Sequence, residues 1–204
     1  MYRNIIFDLG GVMVDWQPEE YLMQRFHNDI TEKHVFSLTF GSEEWQKLDA
    51  GEISRYMANL SMLEHARAAG YAFEVQEVID DWTVILHTRH RMVEIASRLK
   101  SRGFKLFYLS NIASDTLAML QRRGFWRLFD GGIASCDVHL LKPDPKIYKL
   151  LTEQYSLDPK ECIFIDDRDE NMKAAYKLGI TCIPITESVR ALAKSFAACG
   201  IRLR

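Results

Sequence analysis

Apolar and polar positions along the chain fall into two textures. Residues 4–8 (Asn-Ile-Ile-Phe-Asp) form a short apolar run closed by Gly10 and Gly11, the pattern of a strand buried in a parallel sheet. From about Pro18 to Lys100 no run rich in β-branched residues occurs. Apolar residues there recur at helical spacing: Tyr21, Leu22 and Phe26, then Val35 and Phe36, then Tyr56, Met57, Leu60 and Leu63. Thr31 reads as an N-cap before Glu32-Lys33-His34, and Gly41, Gly51 and Gly70 punctuate helix ends. This stretch is predicted to be an all-helical insertion.

Alternation resumes beyond it. Helices are predicted over 92–102, 113–123, 145–155, 170–178 and 189–198, with strands over 104–109, 132–135, 162–165 and 181–185. Strands alternating with helices of this length imply right-handed βαβ units and an α/β fold with a doubly wound, Rossmann-like parallel sheet. The expected division is a core of residues 1–15 and 101–204 with a helical cap at 16–100. Ligands of such sheets sit beyond the carboxyl ends of the strands, where Asp8, Ser110 and the Asp166-Asp167 pair all fall.

Composition narrows the partners. A net charge of −2 gives no electrostatic case for nucleic acid or an anionic membrane. The basic clusters Arg89-His90-Arg91, Arg122-Arg123 and Arg202/Arg204 read as solvated helix ends. The four cysteines lack C-x-x-C spacing, and Cys162 and Cys182 lie in strand-like runs, so buried thiols in a reducing compartment are expected. The first apolar run is too short for a signal peptide, and none approaches the roughly 20 apolar residues of a membrane span. The cytoplasm is the expected location, with a monomer or homodimer as the expected state.

Four stretches carry the chemistry: Phe7-Asp8-Leu9-Gly10-Gly11-Val12, Ser110-Asn111, Leu141-Lys142-Pro143-Asp144-Pro145 and Ile165-Asp166-Asp167-Arg168-Asp169-Glu170-Asn171. In this order the chain resembles the haloacid dehalogenase-like (HAD) hydrolases over its whole length, most closely the branch with a helical cap between the first and second motifs. The resemblance implies a phosphatase that forms an aspartyl-phosphate with Mg²⁺. Asp8 is then the nucleophile. The Gly10 carbonyl and Asp167 are metal ligands, with Asp166 bound directly or through water. Ser110 and the backbone of Asn111 hold phosphoryl oxygens, as do N–H groups of the tight Gly10-Gly11 backbone, and Lys142 neutralises nucleophile and phosphate together. Structural alternatives stand beside these roles. Asp166 or Asp167 could cap the following helix, Ser110-Asn111 the helix near Ala113, and Lys142 could be a plain loop lysine. Asn171 either orients the acidic pair or faces solvent.

One position departs from the family's phosphatases, which carry a second aspartate two residues after the nucleophile to protonate the leaving oxygen. Here it is Gly10. General acid–base help is worth about 10²–10⁴-fold. Its absence argues against phosphomutase chemistry and favours esters with an acidic leaving group, such as anomeric or aryl phosphates. Asp15 is a distant replacement, and a cap for the helix near Pro18 is its simpler role. Haloacid dehalogenases need neither that acid nor a metal, but they have no use for a doubled acid, and Asp166-Asp167 returns the reading to Mg²⁺ and phosphate. Substrate choice is assigned to the cap, around residues 41–55 with Trp45, Asp49, Gly51 and Glu52, and to Trp16. An aromatic with carboxylates suits a sugar phosphate; Trp45 as plain cap core and Asp49-Ala50-Gly51 as an ordinary helix stop are the simpler alternatives. His87 and His90 carry no assignment. The expected activity is phosphomonoester hydrolysis of a small phosphorylated metabolite, with a catalytically silent HAD-like binding module and a metal-free dehalogenase as alternatives.

Overall fold

The computed structural model describes residues 1–185 and 189–203; Arg204 of the basic tail lies outside the described residues. Five strands, β1 (Asn4–Phe7), β2 (Lys105–Ser110), β3 (Gly131–Ala134), β4 (Cys162–Asp166) and β5 (Thr181–Pro184), form one parallel sheet in the order β3-β2-β1-β4-β5. β1 is central, pairing Phe7 with Tyr108 of β2 on one side and with Ile165 of β4 on the other. The chain winds outward from β1 in both directions. The doubly wound α/β core is thus present, each strand within a residue or two of its predicted span.

Every residue of β1 and β4 is buried. Ile5, Phe7, Leu106, Ile163 and Ile165 face one core, while Ile6, Phe107, Leu109, Cys162 and Phe164 face the other. A strand covered on both faces has no polar side to show, which is why these runs are continuous rather than alternating. Each such large apolar side chain contributes about 1.5–3 kcal/mol on burial, so the central strands are rigid supports for whatever follows them.

Between β1 and β2 the chain forms α1 (Pro18–Phe26), α2 (Asp29–Leu38), α3 (Glu43–Asp49), α4 (Arg55–Ala69), α5 (Ala72–Asp81), a 3₁₀ turn (Trp82–Ile85) and α6 (His90–Ser101). α6 packs against β2. The outgoing and returning segments touch: Asp15 N–H donates to the His87 carbonyl at 2.8 Å, and Arg89 N–H to that of Met13 at 2.9 Å. Leu22, Val35, Phe40, Trp45, Met62 and Val75 of the helical stretch belong to the same apolar cluster as Phe7 and Ile165. The remaining helices are α7 (Ser114–Gln121), α8 (Ser135–Val138), α9 (Pro145–Gln154), α10 (Asp169–Lys177) and α11 (Val189–Ala198). Among the described residues, no helix is long and apolar enough to cross a membrane.

The start of α2 differs from expectation. Asn28, not Thr31, is its cap. Asn28 Oδ1 accepts the N–H groups of Ile30 at 3.1 Å and Thr31 at 3.0 Å, and its own N–H donates to Glu32 Oε1 at 2.8 Å. Extended backbone at Asn28 (φ −149°, ψ 106°) turns its side chain over the first helical turn, so Thr31 is already helical. Asn28→Ala is expected to lower stability by about 1 kcal/mol, against less than about 0.5 kcal/mol for Thr31→Ala. Urea unfolding of the two variants checks the assignment.

Candidate active site

Because β1 and β4 are hydrogen-bonded neighbours, the residues that follow them emerge side by side. Asp8 donates its N–H to the Ile165 carbonyl at 2.9 Å, and Asp166 is the last residue of β4. Carboxylate oxygens of Asp8, Asp166 and Asp167 lie within 4.8 Å of one another. The loop before α9 delivers Lys142, whose Nζ stands 2.8 Å from Asp8 Oδ2 and 2.7 Å from Asp166 Oδ2. Lys142 is 4% exposed, Asp8 7% and Asp166 0%, so this lysine is a buried member of the site and not a loop charge. Ser110, at the end of β2, is buried and lines the same cavity as Asp8.

Asn111 grips the lysine loop. Its Nδ2 donates to the Lys142 carbonyl at 2.9 Å and its Oδ1 accepts the Lys142 N–H at 2.8 Å. It does not cap α7, whose N-cap is Ala113, because both its side-chain atoms are spent on the lysine backbone. Nor does either acid cap α10, which has Arg168 as its N-cap. Asp166 accepts the Arg168 N–H at 2.8 Å on Oδ1 and the Asn171 amide on both oxygens at 3.0 and 3.1 Å. Asn171 therefore faces the acidic pair rather than solvent, held from behind by the Tyr148 hydroxyl, which donates to its carbonyl at 3.0 Å.

The electrostatics follow from burial. Burial pushes the Asp8 carboxyl up to about 7; Lys142 opposes this, Asp166 adds to it, and hydrogen bonds from Lys142 and Ser110 oppose it again. Burial also works against the charge on Lys142, but Asp8 and Asp166 outweigh it and hold the ammonium above the usual lysine range. Asp167 is raised by burial and by Asp166. When ionised, three carboxylates meet one ammonium, and the cluster lacks positive charge.

The two glycines after Asp8 differ. Gly11 has φ +71°, and a Cβ there would collide with the Asp167 carboxylate. A Cβ on Gly10 would meet only ordinary contacts, 3.5 Å from Trp16 Cβ, and its φ is not positive. The tight backbone expected at both positions is confined to Gly11. Its carbonyl accepts a hydrogen bond from Arg89 Nη1, and Arg89 Nε lies 3.5 Å from Asp15. Asp15 is accordingly not the cap of α1: Gln17 is, without a side-chain bond, and the arginine claims the aspartate. Arg89 is half-buried against the loop that follows Asp8 rather than a solvated helix end. Nothing local in the sequence marks it, since its partners lie more than seventy residues away.

Above the acids lies a cavity of about 680 Å³. Asp8, Gly10, Ser110, Asn111, Lys142 and Asp167 form its floor, and Asn171 lines it as well. Trp16, Phe36, Phe40, Trp45 and Trp82 form an aromatic wall, with Asp49 and Glu19 among the polar groups. Trp45 is 7% exposed and packs on Phe40 and Trp82 at 4.9 and 5.0 Å between centroids, so it is both packing residue and cavity wall. His87 and His90 are exposed and do not line the cavity.

Magnesium suits this donor set. Mg²⁺ takes hard oxygen ligands and keeps several waters, and the site offers carboxylates with unbalanced negative charge. Asn171 Oδ1 is buried without a partner, an acceptor left over for a water of a hydrated cation.

Comparison with known proteins agrees. A family model described as haloacid dehalogenase-like hydrolase matches residues 2–179. The sesquiterpene phosphatase astK of Aspergillus oryzae is 26% identical over 92% of this chain and 92% of its own length. Other curated relatives are longer, and the chain spans 20–40% of their length. A HAD family enzyme of Bacteroides thetaiotaomicron, solved with magnesium and inorganic phosphate, superimposes with TM-score 0.68 at 22% identity, over 91% of this chain and 95% of that one. L-2-haloacid dehalogenase of Xanthobacter autotrophicus does so with TM-score 0.67 at 18% identity, over 98% and 84%. Both likenesses establish the shared fold.

Gly11→Ala is expected to lose about 10–100-fold in Mg²⁺ affinity, the usual cost of disturbing a group that orients a ligand. It also costs about 1–2 kcal/mol from the left-handed backbone. Gly10→Ala should leave stability within about 0.5 kcal/mol. Titration calorimetry and thermal melts of both variants read these differences.

Proposed function

The chain belongs to the haloacid dehalogenase-like hydrolases, and from that premise we propose that it is a magnesium-dependent phosphomonoesterase acting on a small phosphorylated metabolite through an aspartyl-phosphate on Asp8. One observation carries this reading: three carboxylates within 4.8 Å of one another, two of them sharing a single buried ammonium. A haloacid dehalogenase needs neither a metal nor a second acid two residues after the nucleophile. The doubled acid at Asp166-Asp167 has a purpose when a cation and a phosphoryl dianion must be held together.

Asp8, Asp167 and the Gly10 carbonyl would hold the metal, with Asp166 behind them through water. Bound there, Mg²⁺ supplies the positive charge that lets a carboxylate approach an anionic ester. The chain's own groups do the rest. Asp8 attacks phosphorus, and the ester oxygen departs with its bonding electrons. Lys142 offsets charge on nucleophile and phosphoryl oxygens, in a buried setting where such an interaction is strong. Ser110 and the Asn111 backbone seat phosphoryl oxygens, and the Asn111 side chain keeps Lys142 aimed. Water then attacks the acyl phosphate and frees Asp8.

The aromatic wall fits a ring-sized body on the ester. Sugar phosphates stack on such a wall. An apolar-bodied phosphate is the second class, favoured by the abundance of indole and phenyl surface and by the likeness to the sesquiterpene phosphatase of Aspergillus oryzae.

Hydrolysis of 4-nitrophenyl phosphate by the purified chain should vanish with EDTA and return with Mg²⁺. Asp8→Asn should lower it by at least about 10³-fold. Activity that survives chelation, or chloride released from a 2-haloacid under chelation, would favour the metal-free dehalogenase. A screen of sugar and terpenoid phosphates assigns the body of the substrate.

A further inference from the structure

The position that would hold the family's proton donor is Gly10, and the structure offers a carboxyl from elsewhere. We propose that Asp49, carried over the site by the corner after α3, is the acid and base that Gly10 does not supply. This rests on the phosphomonoesterase reading above.

Asp49 lines the cavity together with Asp8, Lys142 and Asp167. Its place there is enforced from several sides. The Ser135 hydroxyl donates to the Asp49 carbonyl at 2.5 Å and accepts the Ile112 N–H at 2.8 Å, tying the corner to the loop that follows Ser110. Ser135 is fully buried. The imidazole Nδ1 of His139 lies 2.9 Å from the Ala50 carbonyl, and Gly51, at φ +70°, lies so near the Cys136 carbonyl that any Cβ would collide with it. Arg55 forks onto Asp115, at 2.8 Å from Nε and 3.2 Å from Nη2. Four independent contacts thus hold residues 49–55 against the sheet edge.

Its protonation also suits the task. Burial pushes the Asp49 carboxyl up to about 7; Arg55 of α4 opposes this, Asp115 of α7 adds to it, the Ala113 N–H opposes it, and Asp8 adds to it. The Cys136 thiol of α8 and the His139 imidazole are further titratable groups beside this corner. Near neutral pH such a carboxyl gives and takes a proton readily.

In the first half-reaction, Asp8 forms the O–P bond as the P–O bond to the alcohol breaks, and the Asp49 carboxyl passes its proton to the departing oxygen. In the second, the Asp49 carboxylate removes a proton from the water that attacks phosphorus. The bond between phosphorus and Asp8 breaks, and the Asp49 carboxyl is restored. The ester and one water yield the alcohol and phosphate. On this account simple alkyl esters are substrates, and the restriction to acidic leaving groups expected from Gly10 is lifted.

The test compares wild type and Asp49→Asn, as full-length chains with Mg²⁺, on 4-nitrophenyl phosphate and on a simple alkyl phosphate. Asparagine keeps the size and shape of the carboxyl but cannot transfer a proton. The alkyl-to-aryl rate ratio should fall at least about 10²-fold, with loss of the alkaline limb of the kcat/KM profile for the alkyl ester. Gly10→Asp in the Asp49→Asn background should regain part of that ratio, since a side chain at Gly10 meets only ordinary contacts. Equal losses on both esters, or none, overturn the proposal. Wild type supplies a check that needs no folded variant: a steep dependence of rate on leaving-group acidity also overturns it. Wild type inactive on both esters rejects the phosphomonoesterase reading, whereas an active wild type with an unaltered ratio in Asp49→Asn rejects only the role of Asp49.

Discussion

A single buried ammonium holds the site together. Lys142 Nζ lies within 2.8 Å of two carboxylates that are themselves almost wholly buried, on Asp8 and Asp166. Without it, two anions would face each other in a poorly polarisable interior, a state that proteins avoid by protonation or unfolding. With it, one acid is matched and another remains. Much of the surrounding structure serves to keep that ammonium in place: the double hydrogen bond from Asn111 to the lysine backbone, the Phe164 ring 5.4 Å from Nζ, and the Asn171 amide on the far side of Asp166. The remaining negative charge, shared with Asp167, leaves the cluster short of positive charge rather than a balanced ion network.

The sheet makes this arrangement possible. Placing two acids and a lysine within bonding distance requires neighbouring strands that end at the same level, and the in-register pairing of β1 with β4 does this. Both strands are buried on both faces, so the backbone under the acids has little freedom to relax away from the strain of like charges. Gly11 completes the fit by leaving room for the Asp167 carboxylate where any side chain would stand.

The helical segment between β1 and β2 contributes the other half of the cavity. Its aromatic residues wall off water, which strengthens every charge interaction on the floor. Its corner at Asp49–Gly51 is fastened to loops after β2 and β3 by Ser135, His139 and Arg55. A carboxyl of this segment thereby lines the same cavity as Asp8, although the loop after Asp8 lacks one at Gly10. The same fold can place a proton donor from either side of the cavity, because what the chemistry requires is position and protonation, not a place in the chain.

Much of this is legible in the residue order, and the reason is periodicity. Continuous apolar runs mark strands covered on both faces, helical spacing marks the segment between them, and polar groups at run ends mark the ligand edge of a parallel sheet. Asp8, Ser110, Lys142 and Asp166-Asp167 are recognisable in this way, and so are the family and its fold. Contacts between distant segments are not. That Asn28 rather than Thr31 opens α2, that Asn111 grips the lysine loop instead of capping a helix, and that Arg89 seizes both the Gly11 carbonyl and Asp15 each depend on which of several hydrogen-bonding options the packed chain brings within reach. Gly10 and Gly11 look alike as letters and differ because only one has a left-handed backbone beneath a carboxylate. Asp49 reads as an ordinary helix end until burial and the corner's anchors set it over Asp8. Burial preference is a property of each residue and survives in the order of letters, whereas distance, dielectric surroundings and backbone angle arise only when remote segments meet.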